Sequence, residues 1–167
     1  MEICHKYENK WLWGVVLGLL MLVVLCCRPV NADSILDEID WEKESVDIAG
    51  DYAEDTEYSL LRGNHLNYGR ATITKRASNE VGLSGTTMAH HDCDKLYLYL
   101  YLERKVNGTY STYKYWTTTD TNVYELDRSI SILVPSGYYY RLRGYHSAVD
   151  NGMRESKTTL TNGIYIG

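Results

Sequence analysis

"KLYLYLYL", residues 95–102, decides the fold. Successive side chains of a strand point to opposite faces, so Leu96, Leu98, Leu100 and Leu102 share one side and Tyr97, Tyr99 and Tyr101 the other. Leucine has no polar atom and belongs in a core. Tyrosine carries a hydroxyl that tolerates water, so the phenols belong outside. Asn107-Gly108 follows at the spacing of a two-residue type I′ hairpin. Counting back from that turn sets Val106 opposite Thr109, Leu102 opposite Tyr113 and Leu100 opposite Tyr115. On the other face it sets Tyr101 opposite Lys114 and Tyr99 opposite Trp116. Residues directly opposite project to one face, which predicts Tyr113 and Tyr115 in the core and Lys114 and Trp116 outside.

The same alternation recurs on both sides of this hairpin. Ala71 and Ile73 alternate with threonines, and Val81, Leu83, Gly85, Thr87 and Ala89 form a second run. Leu126, Ile130, Ile132 and Val134 are in phase before Pro135. Asp150-Asn151-Gly152 marks a turn, and Ile164 and Ile166 point inward in a last strand that Asn162-Gly163 kinks or bulges. Helical spacing is absent from Gly69 onward. About seven short strands with regular turn signals predict an all-β, immunoglobulin-like antiparallel sandwich over residues 59–167.

The first third of the chain has other properties. Lys6 and Lys10 precede an apolar run from Trp11 to Cys27, and Val30 and Ala32 occupy the −3 and −1 positions of a secretory cleavage site. The pattern predicts a helical signal peptide over 1–32, cut between Ala32 and Asp33, and hence a secreted protein. The run is long enough to remain as a membrane anchor instead. Cys26 and Cys27 fit a lipid-attachment site poorly. Residues 33–58 then hold eleven acids against Lys43 alone, whereas residues 59–167 hold nine acids against thirteen Lys and Arg. Self-repulsion and a shortage of apolar groups predict a flexible acidic leader over 33–58. Ile35, Leu36, Ile39 and Val46 also fit a short amphipathic helix. A leader folded back onto the basic domain would hold weakly through screened charge unless the groups touch.

Cleavage would leave Cys93 as the one cysteine, a free thiol with no intramolecular partner. It sits in His90-His91-Asp92-Cys93-Asp94, where alternation turns His91 and Cys93 away from His90, Asp92 and Asp94. A second ligand pair of ordinary spacing is missing, and His65 and His146 stand alone in sequence. The segment therefore reads as a polar loop, with no metal and no cofactor.

Leu133-Val-Pro135-Ser-Gly137-Tyr138-Tyr-Tyr140-Arg-Leu142-Arg-Gly144 resembles the corner and following strand of fibronectin type III domains. Asp150-Asn151-Gly152-Met-Arg-Glu155-Ser156 resembles the next turn of that family, with the spacing off by one residue and the family's early tryptophan missing. The resemblance implies a sandwich in which an inward tyrosine bonds back to the corner backbone. Gly137 to His146, Gly152 to Ser156 and Gly163 to Ile166 also resemble a family of small secreted proteins of unknown function from Gram-positive bacteria. That resemblance implies an extracellular location and assigns no activity or functional residue.

Sharing one sheet, the strands 95–106, 110–118 and 138–147 would present Tyr97, Tyr99, Tyr101, Lys114, Trp116, Tyr139, Arg141, Arg143 and Tyr145 outward. Such a face is either a self-covering ladder of cross-strand pairs or a platform for sugar rings, an anionic polymer or another surface protein. No catalytic signature brings a nucleophile to His65, His90, His91 or His146, which argues against an enzyme. A domain charge of +4 beside the acidic leader argues against nucleic-acid binding. The expectation is a secreted, non-enzymatic module that binds cell-wall glycan or a surface protein. The alternatives are a self-associating structural protein and a surface domain on an uncleaved anchor.

Overall fold

A computed structural model describes residues 35–59 and 64–167. The signal peptide and its cleavage point at Ala32 and Asp33 lie outside the described residues. Among the described residues no helix is long and apolar enough to cross a membrane.

A 3-10 turn, Ile35–Glu38, is followed by ten strands. These are β1 (Asp47–Ile48), β2 (Tyr52–Tyr58), β3 (Leu66–Ala77), β4 (Glu80–Cys93), β5 (Lys95–Val106), β6 (Thr109–Asp120), β7 (Val123–Leu133), β8 (Tyr138–Asp150), β9 (Met153–Leu160) and β10 (Gly163–Ile166). They form two sheets, ordered β2-β3-β4-β7 and β1-β10-β8-β5-β6, with β9 also on β8. Apart from the short parallel pair of β1 with β10, every pairing is antiparallel. β9 and β10 run along the same edge of β8, their register stepping by one residue across Thr161 and Asn162. Counted as one interrupted strand, they complete seven strands from β3 onward, the immunoglobulin-like sandwich. β1 and β2 are additions from the acidic segment.

The leucine face behaves as its alternation dictates. Leu96, Leu98, Leu100 and Leu102 are shut from solvent in one cluster with Ile73, Val81, Leu83, Leu142, Ile164 and Ile166. The corner tyrosine is Tyr140. It is fully buried, and its hydroxyl donates to the Pro135 carbonyl at 2.8 Å.

The hairpin register holds only near its turn. Asn107 and Gly108 have the positive φ of a type I′ turn (51° and 84°), and Val106 pairs with Thr109. A bulge then intervenes between the Glu103–Thr112 and Leu102–Lys114 pairs, with Tyr113 as the extra residue. Beyond it Tyr101 faces Tyr115 and Leu100 faces Trp116. The physical gain is that Tyr113 and Trp116 both pack against the core. An unbroken ladder would have left the indole in water. Tyr115 takes the outer position instead and is 64% exposed.

The acidic segment is not a solvated leader where it is described. β2 forms the edge of one sheet, paired with β3 along its whole length. β1 extends the other sheet. Between them and the 3-10 turn, residues 35–46 run as a strap over the tyrosine face of the second sheet, where Ile39 joins Tyr101 and Tyr145 in a second buried cluster. Charge self-repulsion within the segment is overcome because its carboxylates meet partners at contact distance, where salt screening matters little.

Candidate functional site

The outer face of β5, β6 and β8 is the site that the sequence marks, and the strap divides it. Under the strap lie Tyr101, Arg143 and Tyr145, all buried. Arg143 donates through Nε to Glu103 at 2.8 Å and through a terminal nitrogen to the Asp40 carbonyl. Its guanidinium also lies 5.4 Å from the Trp41 ring centroid. Arg141 donates to the other Glu103 oxygen at 2.5 Å and stacks 4.0 Å from the Tyr110 ring. Glu103, two residues beyond Tyr101 on the same face, thus bridges the two guanidiniums and offsets half of their charge. Its parity with the tyrosines was the signal for it in the sequence.

The strap is tied at both ends. Glu38 accepts from the Tyr145 hydroxyl at 2.5 Å and from Arg154 at 2.9 Å. Burial works to raise the Glu38 carboxyl, but these hydrogen bonds outweigh it and hold it below the usual carboxylate range. Burial, then the bond to Glu38, pushes the Tyr145 phenol far upward, so it stays protonated. Further along, Asp47 accepts from Lys105 at 2.5 Å and from the Tyr110 hydroxyl. Burial opposes ionisation there too, and the two donors again hold the carboxyl low. Lys43 reaches Asp55, Glu57 and the Thr158 carbonyl. Every charge that the strap buries is paired, as burial requires.

The remaining predicted face residues are dispersed. Trp116 lies on the core side of its sheet. Lys114, exposed on β6 at the edge of the sheet, sits 5.8 Å from the Tyr113 ring. Tyr139 packs against Tyr165 at 5.3 Å, at the end of β8 that pairs with β10. Tyr97 and Tyr99 are half-buried, with Lys95 and Arg154 against the Tyr97 ring at 4.9 and 5.4 Å. The open part of the face is two rings, Trp41 of the strap and Tyr115 of β6, on either side of the buried Tyr101. Trp41 stands edge-on to Tyr101 at 5.2 Å, and Tyr101 stacks on Tyr115 at 5.9 Å. Trp41 was not among the expected face residues and is 43% exposed. Next to it a groove of about 450 Å³ separates the strap from the β5–β6 hairpin, lined by Glu42, Glu44, Lys105, Tyr110 and Arg141 among others.

Two histidine groupings differ from expectation. His146 is fully buried and lies 3.1 Å from Thr87 Oγ1 through Nδ1 and 2.9 Å from Thr159 Oγ1 through Nε2. Burial depresses its pKa to about 3, so it is a neutral interior group and not a base open to substrate. His65 is not isolated, because the start of β3 brings it beside His91 and Cys93. The Cys93 thiol is buried and bonds no other sulfur among the described residues. Burial, and after it the carboxylates of Asp150, Asp94, Glu155 and Asp92, push its pKa up to about 11.

Fold and site together define an immunoglobulin-like sandwich module with a self-strapped aromatic face. The chain belongs to the family of unknown function DUF6147, which matches residues 33–164. The match begins at the acidic segment, in keeping with that segment's place in the folded body. No curated protein matches the sequence. Among solved structures, the sporulation control protein Spo0M from Bacillus subtilis is similar at 12% identity and a TM-score of 0.36, over 71% of this chain and 51% of that one. The chain therefore spans about half the length of Spo0M.

Proposed function

We propose that the protein is an exported, non-enzymatic module that binds glycan chains of the cell surface in the groove beside Trp41. The observation that carries this reading is the pairing of a partly open indole with a groove lined by Glu42, Glu44, Lys105 and Arg141. An indole face suits the apolar face of a sugar ring, and mixed acids and cations suit its hydroxyls. Export rests on the signal-like residues 1–32. A Gram-positive cell wall as the target rests on the resemblance carried by Gly137–His146. The absence of catalysis rests on the site chemistry. Thr87 and Thr159 do meet the imidazole of His146, but they are sealed in the interior.

The test is retention of the purified protein on isolated cell-wall polysaccharide. Wild type is retained, while Trp41→Ala and Glu44→Gln each lose retention with the unfolding transition still cooperative. Equal retention of both variants rules the groove out.

A second reading, self-association, is favoured by β6. It is a twelve-residue edge strand without proline, bearing Lys114 as its single cation. Such an edge offers unpaired backbone groups to a second copy. Light scattering across a concentration series decides this: a dimer that Tyr115→Pro disperses supports it, and a monomer at every concentration excludes it.

A further inference from the structure

We propose that His65, His91, Cys93 and Asp150 form a Zn²⁺ site that pins the two sheets together at one end of the sandwich. Three chain segments meet there. His65 directly precedes β3, and its carbonyl accepts the His90 backbone N–H at 2.8 Å, which fixes His91 next to it. His91 and Cys93 are two residues apart on β4 and so project to one side. They lie where β4 leaves its regular pairing with β7, between Met88 and Cys93. Bulged strand ends commonly re-aim side chains in this way. Asp150 ends β8 on the opposite sheet, just before a turn with positive φ at Asn151 and Gly152 (50° and 75°).

The separations of the three nitrogen and oxygen ligand atoms suit a tetrahedral ion. Nitrogen and oxygen ligands about 2.0–2.1 Å from zinc stand roughly 3.4 Å from one another. Here His65 Nδ1 and His91 Nε2 are 3.5 Å apart, and Asp150 Oδ2 lies 3.7 Å from the first and 3.5 Å from the second. The ligand atoms of His65, His91 and Cys93 all fall within 4.8 Å of one another. Two imidazoles, a thiol and a carboxylate are a borderline-soft donor set of the kind that selects zinc over calcium or magnesium.

The surroundings hold these ligands in place. The Glu155 carboxylate accepts the backbone N–H groups of Asn64, His65 and Leu66 at 2.8, 3.1 and 2.9 Å, which locks the His65 backbone. Asp94 accepts the Asn151 N–H at 2.9 Å and so fixes the turn after Asp150. The buried Nε2 of His65 has no hydrogen-bond partner among the described residues. Asp92, Asp94 and Glu155 add negative charge around the ligands, which draws in a divalent cation. The His91 side chain, 46% exposed, leaves a route for the ion to enter.

The test uses the full-length chain stripped with a chelator and titrated with Zn²⁺ by calorimetry and with Co²⁺ by absorption. One equivalent of each binds, and Co²⁺ gives intense tetrahedral bands with a thiolate charge-transfer band. Cys93→Ser abolishes that band. His91→Ala weakens Zn²⁺ binding by on the order of 100-fold or more, as expected for a lost ligand. Its unfolding midpoint without metal is unchanged, because His91 is exposed. A hydrogen-bonded His–Asp cluster that takes no metal would show no stoichiometric binding. That result overturns the proposal, as does a weak six-coordinate Co²⁺ spectrum or undiminished affinity in His91→Ala.

Discussion

Ile39 of the acidic segment and Tyr145 of β8 share one apolar cluster, the first 4% exposed and the second fully buried. The strap is therefore held by burial as well as by charge. Truncating a buried isoleucine to alanine costs about 2 kcal/mol or more. Ile39→Ala should lower stability in urea by about that amount and open residues 36–46 to protease. A loss under about 0.5 kcal/mol, within the range of ordinary surface changes, would contradict the packing.

Glu103 is the counter-charge for two guanidiniums, and its side chain and that of Arg143 are only 5% and 2% exposed. Removing one member of a buried pair leaves the other uncompensated. Glu103→Ala should cost about 3–5 kcal/mol by chemical denaturation. The double change with Arg143→Met should recover part of that loss. A single variant as stable as wild type would show that the pair is solvated.

His146 gives the protein an early acid limit. Its pKa falls from 6.5 to about 3 on folding. The stability it contributes as a neutral group is complete above about pH 6.5 and drains away as pH falls toward 3, because only the unfolded chain takes up the proton. Glu38, Asp47 and Glu155 have lowered carboxyl pKa values and add losses as pH drops below 4.5 for the glutamates and 3.8 for the aspartate. The urea midpoint should be level from about pH 7 to 8 and decline already between about pH 6.5 and 5. A level profile down to pH 5 would place His146 in solvent.

Gly69 is where β3 passes the His146 ring. A Cβ there would come 2.3 Å from the imidazole carbons, with no space to move because the ring is held between Thr87 and Thr159. Overpacking of this kind costs about 1–3 kcal/mol, so Gly69→Ala should fall in that range by thermal unfolding. A neutral result would mean that the strand is not apposed to the ring.

The sandwich was readable because the Leu96–Leu102 alternation, the Asn107-Gly108 turn and the Pro135–Tyr140 corner are local signals. The bulge at Tyr113 was not. It exists to bury Trp116 against a core built from distant strands, and no property of residues 107–116 encodes that core. The strap was hidden for a related reason. Eleven acids in residues 33–58 carry the composition of a solvated tail, and their partners Lys105, Tyr110, Tyr145 and Arg154 lie about a hundred residues away or half that. Even so, Ile35 and Ile39, both in the apolar cluster, are residues that such a tail has no use for. Tyr97, Tyr99, Tyr101 and Tyr145 do share the face away from the leucines, but Tyr101 and Tyr145 are buried there, because a face that looks free in one strand is free only until another segment covers it. His65 joined His91 and Cys93 through the β3–β4 pairing, a tertiary fact that spacing alone did not disclose.

Hydrogen exchange over residues 36–48 tests the strap most directly. The Asp40 N–H is bonded to Thr158 Oγ1, the Glu42 and Lys43 N–H groups to Asp40 Oδ1, and the Val46 N–H to Asn162 Oδ1. Peptides from this stretch should exchange many times more slowly than an unstructured chain, and Ile39→Asp should release them while the β5 and β8 peptides stay protected. Exchange of residues 36–48 at the unstructured rate in the wild-type protein would contradict a packed strap.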